Sequence, residues 1–383
     1  MKLRLLEWLV CPACSSTFTA ETFVAEGEDI RQGSLHCHCE VAVPVVDSIP
    51  RFLDDWPEQF PNFVQQYGKQ LGAASGTFPA HASRFQRWQK RTRHSFGYQW
   101  TAFGRMVCDF RKNFLSYIHP LKPQEFPGKL GLDVGCGFGR HIFNAAGLGA
   151  EMVGVDLSRA IDVAAHHTQA LSGVHLIQAD LYHLPLRPAT FDFVYSLGVL
   201  HHLPDPQRGF NAIVPLAKPN GHVAVWLYSS SRRFTNAGLE IVRFFTRALP
   251  LPFLRGLSYV AAALDWVGFI LPYKLLRRLP GIGRVVERLS LPRIKVYAEY
   301  PFQVGVADWF DRLSAPIRYY YGPEDVRRWF EQAGLTGIQV SPTGLYGWRG
   351  CGCRPSIPVD AVLEPFAPLA RGIRAGTTHD ECA

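Results

Sequence analysis

Three glycines at alternate positions, Gly135, Gly137 and Gly139, follow directly on the apolar run Leu132-Asp133-Val134. Removing every second Cβ from a turn lets the backbone and the start of the next helix lie against a ligand, so Leu132 to His141 reads as a strand feeding a phosphate- or nucleoside-sized cradle. A dinucleotide turn needs a further glycine three positions after the second, for close helix packing. That position is Arg140, which disfavours NAD or FAD. Downstream, Val153-Gly154-Val155-Asp156 ends a second apolar run in a carboxylate, where it can accept both hydroxyls of a ribose. Gln178-Ala179-Asp180-Leu181 ends a third, offering an acceptor for the exocyclic amine of a purine and an apolar neighbour for its face. A fourth run, from Asp192, passes Ser196 and Gly198 and ends beside the pair His201-His202.

These side chains need elements to position them. Leu130–Val134, Glu151–Val155, Val174–Gln178, Phe191–Ser196 and His222–Leu227 are apolar or β-branched runs, separated by helical patterns over Arg159–Leu171 and Gln207–Leu216. Such alternation predicts a parallel sheet with helices on both faces, and ligands collect at the carboxyl ends of its strands.

The four stretches LDVGCGFGRH, GVDLS, QADLYHLPL and FDFVYSLGVLHHLPD resemble, in order and spacing, the motifs of class I S-adenosylmethionine-dependent methyltransferases. The resemblance covers Leu130 to Leu227, with a weaker return from Tyr319 to Gly350, where two closing strands are expected over Gly337–Ser341 and Leu345–Arg349. It implies an α/β fold, a doubly wound, mostly parallel seven-stranded Rossmann-like sheet, with S-adenosyl-L-methionine as cofactor. Carried over by motif, Asp133 and the turn of Gly135, Gly137 and Gly139 would hold the methionyl end; Asp156, followed by Leu157, the ribose; Asp180 and Leu181 the adenine; and Ser196 to Val199, with Gly198, the wall beside the sulfonium. Methyl transfer from a sulfonium is an in-line displacement that mainly needs alignment. Where the acceptor is a weak acid a general base helps, and His201 is the first candidate. The Asn/Asp-Pro-Pro-Tyr/Phe motif of amino methyltransferases does not follow the fourth strand, which disfavours exocyclic amines as acceptors.

At the start of the chain Cys11-Pro-Ala-Cys14 and Cys37-His-Cys39 form two close pairs, which suits a zinc ribbon. With VPVVDSIPRF after them they resemble the ribbon segment at the front of many bacterial methyltransferases, and the activator subunits of some tRNA methyltransferases. That resemblance implies a structural zinc on Cys11, Cys14, Cys37 and Cys39, with His36 and His38 as alternative ligands. Trp56 to Pro120 reads as helices, and its piece SFGYQWTAF is similar to a pre-core segment that brings Tyr98 or Gln99 near the cofactor. The expected organisation is a ribbon-like segment 1–55, helices 56–120, a methyltransferase domain 121–350 with a helical insertion 229–315, and a loosely ordered tail 351–383.

Of 383 residues 47% are apolar and 19% charged, enough to bury a large core, and the net charge is +8. Between Arg232 and Glu299 twelve Lys or Arg face four Asp or Glu, so this one segment carries the whole excess. Interleaved with Phe244, Phe245, Phe253, Tyr259 and Trp266, it reads as a helical lid with solvated arginines, a lipid or membrane-surface contact, or a nucleic-acid contact, the last least favoured. No run of about 18 uncharged apolar residues suggests a spanning helix, and Glu7 interrupts the basic, apolar start. A cytoplasmic protein, or one peripheral at the inner membrane face, is expected, with reduced thiols. The function expected is methyl transfer to a small-molecule or lipid-linked acceptor; an RNA methyltransferase and a non-catalytic cofactor-binding scaffold are the alternatives.

Overall fold

The structure, a computed structural model, describes residues 1–71, 83–344 and 346–356, with the side chains of 83–86 outside the described set. Its strands are β1 Thr19–Glu26, β2 Asp29–His36, β3 Ala42–Val46, β4 Ile49–Phe52, β5 Leu130–Val134, β6 Glu151–Asp156, β7 Val174–Ala179, β8 Phe191–Leu197, β9 Ala217–Tyr228, β10 Thr336–Thr343 and β11 Gly347–Cys353. They form one sheet in the order β1-β2-β3-β4-β7-β6-β5-β8-β9-β11-β10. Seven of them, β5 to β11, are the expected Rossmann-like set, parallel from β7 to β9 and antiparallel through β11 and β10. The strand order reverses around β5, so the loops after β5 and β8 open a crevice at the carboxyl edge.

The other four strands come from the cysteine-rich start. β1 to β4 form an antiparallel meander whose last turn, Asp47-Ser48, takes positive φ at both residues, the geometry that lets a two-residue hairpin follow the strand twist. β4 then pairs parallel with β7, Arg51 opposite Gln178 and Phe52 opposite Ala179, so the ribbon extends the sheet instead of standing apart. Leu5, Leu9, Leu35, Val43 and Val45 share one core with Val153, Val155 and Ile177, which covers the edge that β7 would otherwise expose. This accounts for eleven strands against the seven expected.

Helices Pro61–Leu71, Ser83–Ala102 and Arg111–Ile118 precede the core. The insertion is helical throughout: Arg233–Thr246, Leu251–Leu276, Ile282–Leu289, Pro292–Glu299 and Phe302–Ser314. The run Leu251–Leu276 is long and apolar enough to cross a membrane. Arg255, Asp265 and Lys274 break it up, so a search for an uninterrupted apolar run passes over it. The final strand continues through Cys351 and Cys353, beyond the expected domain end at 350, because Gly350 and Gly352 leave room for the Phe330 ring of the covering helix Pro323–Gln332. The tail from 357 lies outside the described residues, as does Leu345, the expected start of the last strand.

Candidate functional site

A cavity of about 990 Å³ opens at the carboxyl ends of β5, β6, β7, β8 and β9 and runs beneath the insertion. Its floor is the glycine turn. Gly135, Gly137 and Gly139 all have positive φ, and a Cβ at Gly135 would come within 2.4 Å of Val199. The Gly135 and Cys136 amides donate to the Val155 carbonyl at 2.7 and 3.1 Å, which pins the turn to β6. Gly135 and Gly137 line the cavity. Gly139 does not: its missing Cβ makes room for Ala164 of the helix Ala160–Thr168, a packing role.

Asp156 ends β6 on the cavity wall, where its Oδ2 accepts the Gly137 amide at 2.9 Å and its Oδ1 accepts both the amide and hydroxyl of Ser158 at 2.8 and 2.7 Å. Burial raises its pKa, while those three donors oppose the rise. Leu157, Asp180 and Leu181 line the same wall, the Asp180 Oδ1 accepting the Tyr182 amide at 3.0 Å. Gly198 and Val199 complete it after β8.

Three of the expected site residues stand behind the wall. Asp133 is 1% exposed, its Oδ2 without a hydrogen-bond partner. Burial pushes its carboxyl up to about 8, with the Tyr195 hydroxyl opposing. Ser196 is fully buried and donates to the Val134 carbonyl at 2.9 Å, tying β8 to β5. His201 is also fully buried, with both ring nitrogens unpartnered and its ring 3.9 Å from that of Tyr228.

His202, its neighbour, lines the cavity. Its Nδ1–H donates to the Ile317 carbonyl at 2.7 Å, which leaves the Nε2 lone pair available 3.8 Å from Asp311. Burial pushes the imidazole down to about 4 despite Asp311, so it is neutral at pH 7. Burial would raise Asp311 as well, but Arg318, His202 and the Tyr228 hydroxyl, which donates at 2.8 Å, hold it below the usual carboxylate range. Arg318 lies over the Tyr228 ring at 4.2 Å and 3.6 Å from Asp311. Sequence reasoning missed Tyr228, Asp311 and Arg318, which lie on three separate elements and share no local motif. Arg312 and Asp308, paired at 2.5 Å, line the cavity beside them.

The pre-core helix contributes Trp100, whose indole lies 3.5 Å from where a Gly137 Cβ would stand, and Gln99, whose buried Oε1 has no partner. Tyr98 turns away to stack on Phe310. Arg140, the residue that disfavours a dinucleotide, sits among the rings of Trp100, Phe110 and Phe138 on the cavity wall. A glycine turn with positive φ and no room for a Cβ at Gly135, a carboxylate at the end of β6 and an apolar slot beside Leu157 and Leu181 fit a nucleoside bearing a short polar chain.

Far from this cavity the Sγ atoms of Cys11, Cys14, Cys37 and Cys39 all lie within 4.8 Å of one another. The close contacts, Cys11 to Cys39 at 3.6 Å and Cys14 to Cys37 at 3.3 Å, approach the edge of about 3.8 Å that a tetrahedron of zinc–sulfur bonds of about 2.3 Å would have. Two turns with positive φ, at Ser15 and Glu40, bring the pairs together. His36 bonds Ser34 instead of joining them. The purified chain is expected to carry one zinc, counted by native mass spectrometry; Cys14→Ser/Cys37→Ser should lose it and melt lower, and an equal metal content in that variant would refute the site.

The profile of a methyltransferase domain family matches residues 132–225. A ubiquinone biosynthesis O-methyltransferase of Azoarcus sp. is 33% identical over 199 residues, 48% of this chain and 80% of that protein. An uncharacterized protein of Synechococcus sp. is 29% identical over 234 residues, 56% of this chain, which thus spans about half (51%) of that relative. Among solved structures, magnesium protoporphyrin IX methyltransferase of Synechocystis with bound SAH is 15% identical, covering 79% of this chain and 97% of that one at a TM-score of 0.35. The motifs in their order, the sheet that carries them and the match along four fifths of the Azoarcus enzyme lead to one assignment: this chain belongs to the class I S-adenosylmethionine-dependent methyltransferases.

Proposed function

We propose that the chain methylates an oxygen of a small-molecule or lipid-linked acceptor. The observation that carries this reading is the single cavity joining the glycine turn and Asp156 to the His202–Tyr228–Asp311–Arg318 cluster under an apolar, basic insertion. The O-methyltransferase names of the matched relatives support an oxygen acceptor.

S-adenosylmethionine, when bound, supplies an electrophilic methyl group on a sulfonium. Asp156 accepts the ribose hydroxyls with lone pairs its backbone donors leave over, and Asp180 accepts the adenine amine between Leu157 and Leu181. Gly135 and Gly137 offer the methionyl end a surface without side chains, Ser196 ties the strand before that turn to its neighbour from behind, and Gly198 with Val199 bounds the acceptor side. Trp100 and the insertion close the top and exclude water, which favours alignment. His202 takes the acceptor proton on Nε2, and the Asp311 carboxylate stabilises the imidazolium that forms.

Incubating the full chain with tritiated-methyl S-adenosylmethionine and extracts of native-host cells should put label into the organic phase. Label in RNA would replace this reading by an RNA methyltransferase, and cofactor binding without label in any fraction would replace it by a scaffold. With the acceptor so found, His202→Ala is expected to lower kcat by about 100-fold or more with cofactor affinity kept, the usual range for a lost general base. His201→Phe, which adds no polar atom to a site with none satisfied, should keep most activity. In the wild type the base is unprotonated above its pKa, so the rate should hold from pH 8 down and fall only as pH drops through about 4. An unchanged kcat in His202→Ala would exclude it as the base.

A further inference from the structure

Of the 24 large apolar side chains exposed among the described residues, 20 lie between Phe234 and Val296. They form patterns that water alone does not explain. In Arg233–Thr246 the usual arrangement is inverted: Arg243 and Thr246 are buried, bonded to the Ala315 and Leu313 carbonyls, while Phe234, Phe244 and Phe245 are 96%, 64% and 68% exposed. In Ile282–Leu289 no residue is buried, although Ile282, Val285 and Leu289 make one apolar face and Arg284 and Arg288 the other. Leu251–Leu276 is apolar on both sides. Its inner face, with Leu254, Ser258, Ala262 and Asp265, is buried, while Val260, Leu264 and Val267 are exposed.

We propose that this insertion is a docking surface for an anionic phospholipid bilayer, lying in the interface with its phenylalanines and leucines among the acyl chains. Exposed Arg284 and Arg288 lie on one of these helices, exposed Arg247, Arg277 and Arg278 lie just past the ends of the other two, and anionic headgroups complement them. A second copy of the chain would bring these arginines against one another. The Leu251–Leu276 helix rests on the protein and does not span: the buried Asp265 carboxylate is paired with Arg293, and Leu254 packs with Phe310 and Leu313. The surface also meets the cavity. Asn236 and Leu239 from the first helix, and Arg255 and Tyr259 from the second, line it, so an acceptor can pass from the bilayer to the site without crossing water.

The inference rests on the lipid-linked reading of the acceptor only for its purpose, and vesicle binding is measured without turnover. The full chain is sedimented with vesicles of phosphatidylglycerol and phosphatidylcholine, and with phosphatidylcholine alone. It should bind the anionic vesicles, more weakly at 1 M than at 0.1 M salt, since the screening length falls from about 10 to 3 Å. Phe234→Ser/Phe244→Ser/Phe245→Ser should partition about 100-fold less while still binding S-adenosylmethionine. Should that variant lose the cofactor, Arg277→Gln/Arg278→Gln/Arg284→Gln/Arg288→Gln serves instead, and its preference for anionic vesicles should vanish. Wild-type protein that ignores both vesicles, variants that bind as wild type does, or a phenylalanine variant that changes only from dimer to monomer would overturn the proposal. Organic-phase label with no vesicle binding would leave the acceptor reading standing and remove the docking surface alone.

Discussion

Asp156→Ala is expected to weaken S-adenosylmethionine binding a few hundredfold, measured by titration calorimetry. The variant removes two kinds of interaction. One is the pair of charge-assisted hydrogen bonds that the proposed ribose contact would make, worth about 1.5–3 kcal/mol each, and every 1.4 kcal/mol is tenfold. The other is internal: Gly137 and Ser158 lose the carboxylate that accepts their amides at 2.9 and 2.8 Å, so the glycine turn is no longer held against β6 from that side. Asp156→Asn separates the two. It keeps one acceptor oxygen and the shape of the side chain but drops the charge, and a loss of about tenfold is expected. The melting temperature controls for folding, since the Val155 carbonyl still receives two amides of the turn. Binding by Asp156→Ala within threefold of wild type would rule out the ribose assignment.

Arg51→Ala is expected to cost about 3–5 kcal/mol, because it breaks a buried ion pair and leaves polar partners behind. Arg51 is fully buried although it belongs to the ribbon. Its guanidinium donates to Gln178 at 2.9 Å, to the Val46 carbonyl at 3.1 Å and to Asp162 at 2.7 Å, and lies over the Phe60 ring. At about 1 °C per kcal/mol for a chain of this size, the melting temperature should fall by about 5 °C. Arg51→Met fills most of the volume, and Asp162 keeps Arg159 at 2.5 Å, so its loss should be smaller. A second effect follows from the same contacts. Gln178 also donates to the Leu157 carbonyl at 3.2 Å, beside Asp156, so releasing it should weaken cofactor binding a few-fold as well. A drop under about 2 °C would mean that the ribbon and the sheet are not joined through this arginine.

The strands from Leu130 to Leu227 were legible because each signal is local. An apolar run marks the strand, and a glycine or an acid at its end marks the loop; the structure keeps the first of these strands as expected and lengthens each of the next three by one residue. The parallel sheet then does the assembly, since it brings every strand's carboxyl end to one edge. Hence Gly135, Gly137, Asp156, Leu157, Asp180, Leu181 and Gly198 line one cavity although they span 64 positions.

What local pattern could not express is which way a side chain faces once distant segments pack. His201 and His202 are adjacent and alike in sequence. The turn Leu200–His202 and the carbonyl of Ile317, 115 residues on, put one in the core and the other on the cavity. Tyr228, Asp311 and Arg318 meet only because the insertion folds back over β9. The cysteines announced a metal-stapled ribbon, but nothing near them announced that β4 would extend the sheet, because that pairing depends on the edge of β7 being free and on Arg51 finding Gln178 and Asp162. The sequence by itself determined the cofactor cradle, whose demands on backbone freedom and charge are written residue by residue. Only the tertiary structure decided the cluster of His202, Tyr228, Asp311 and Arg318 on the cavity and the outward apolar face, since burial and exposure are properties of packing between elements far apart in the chain.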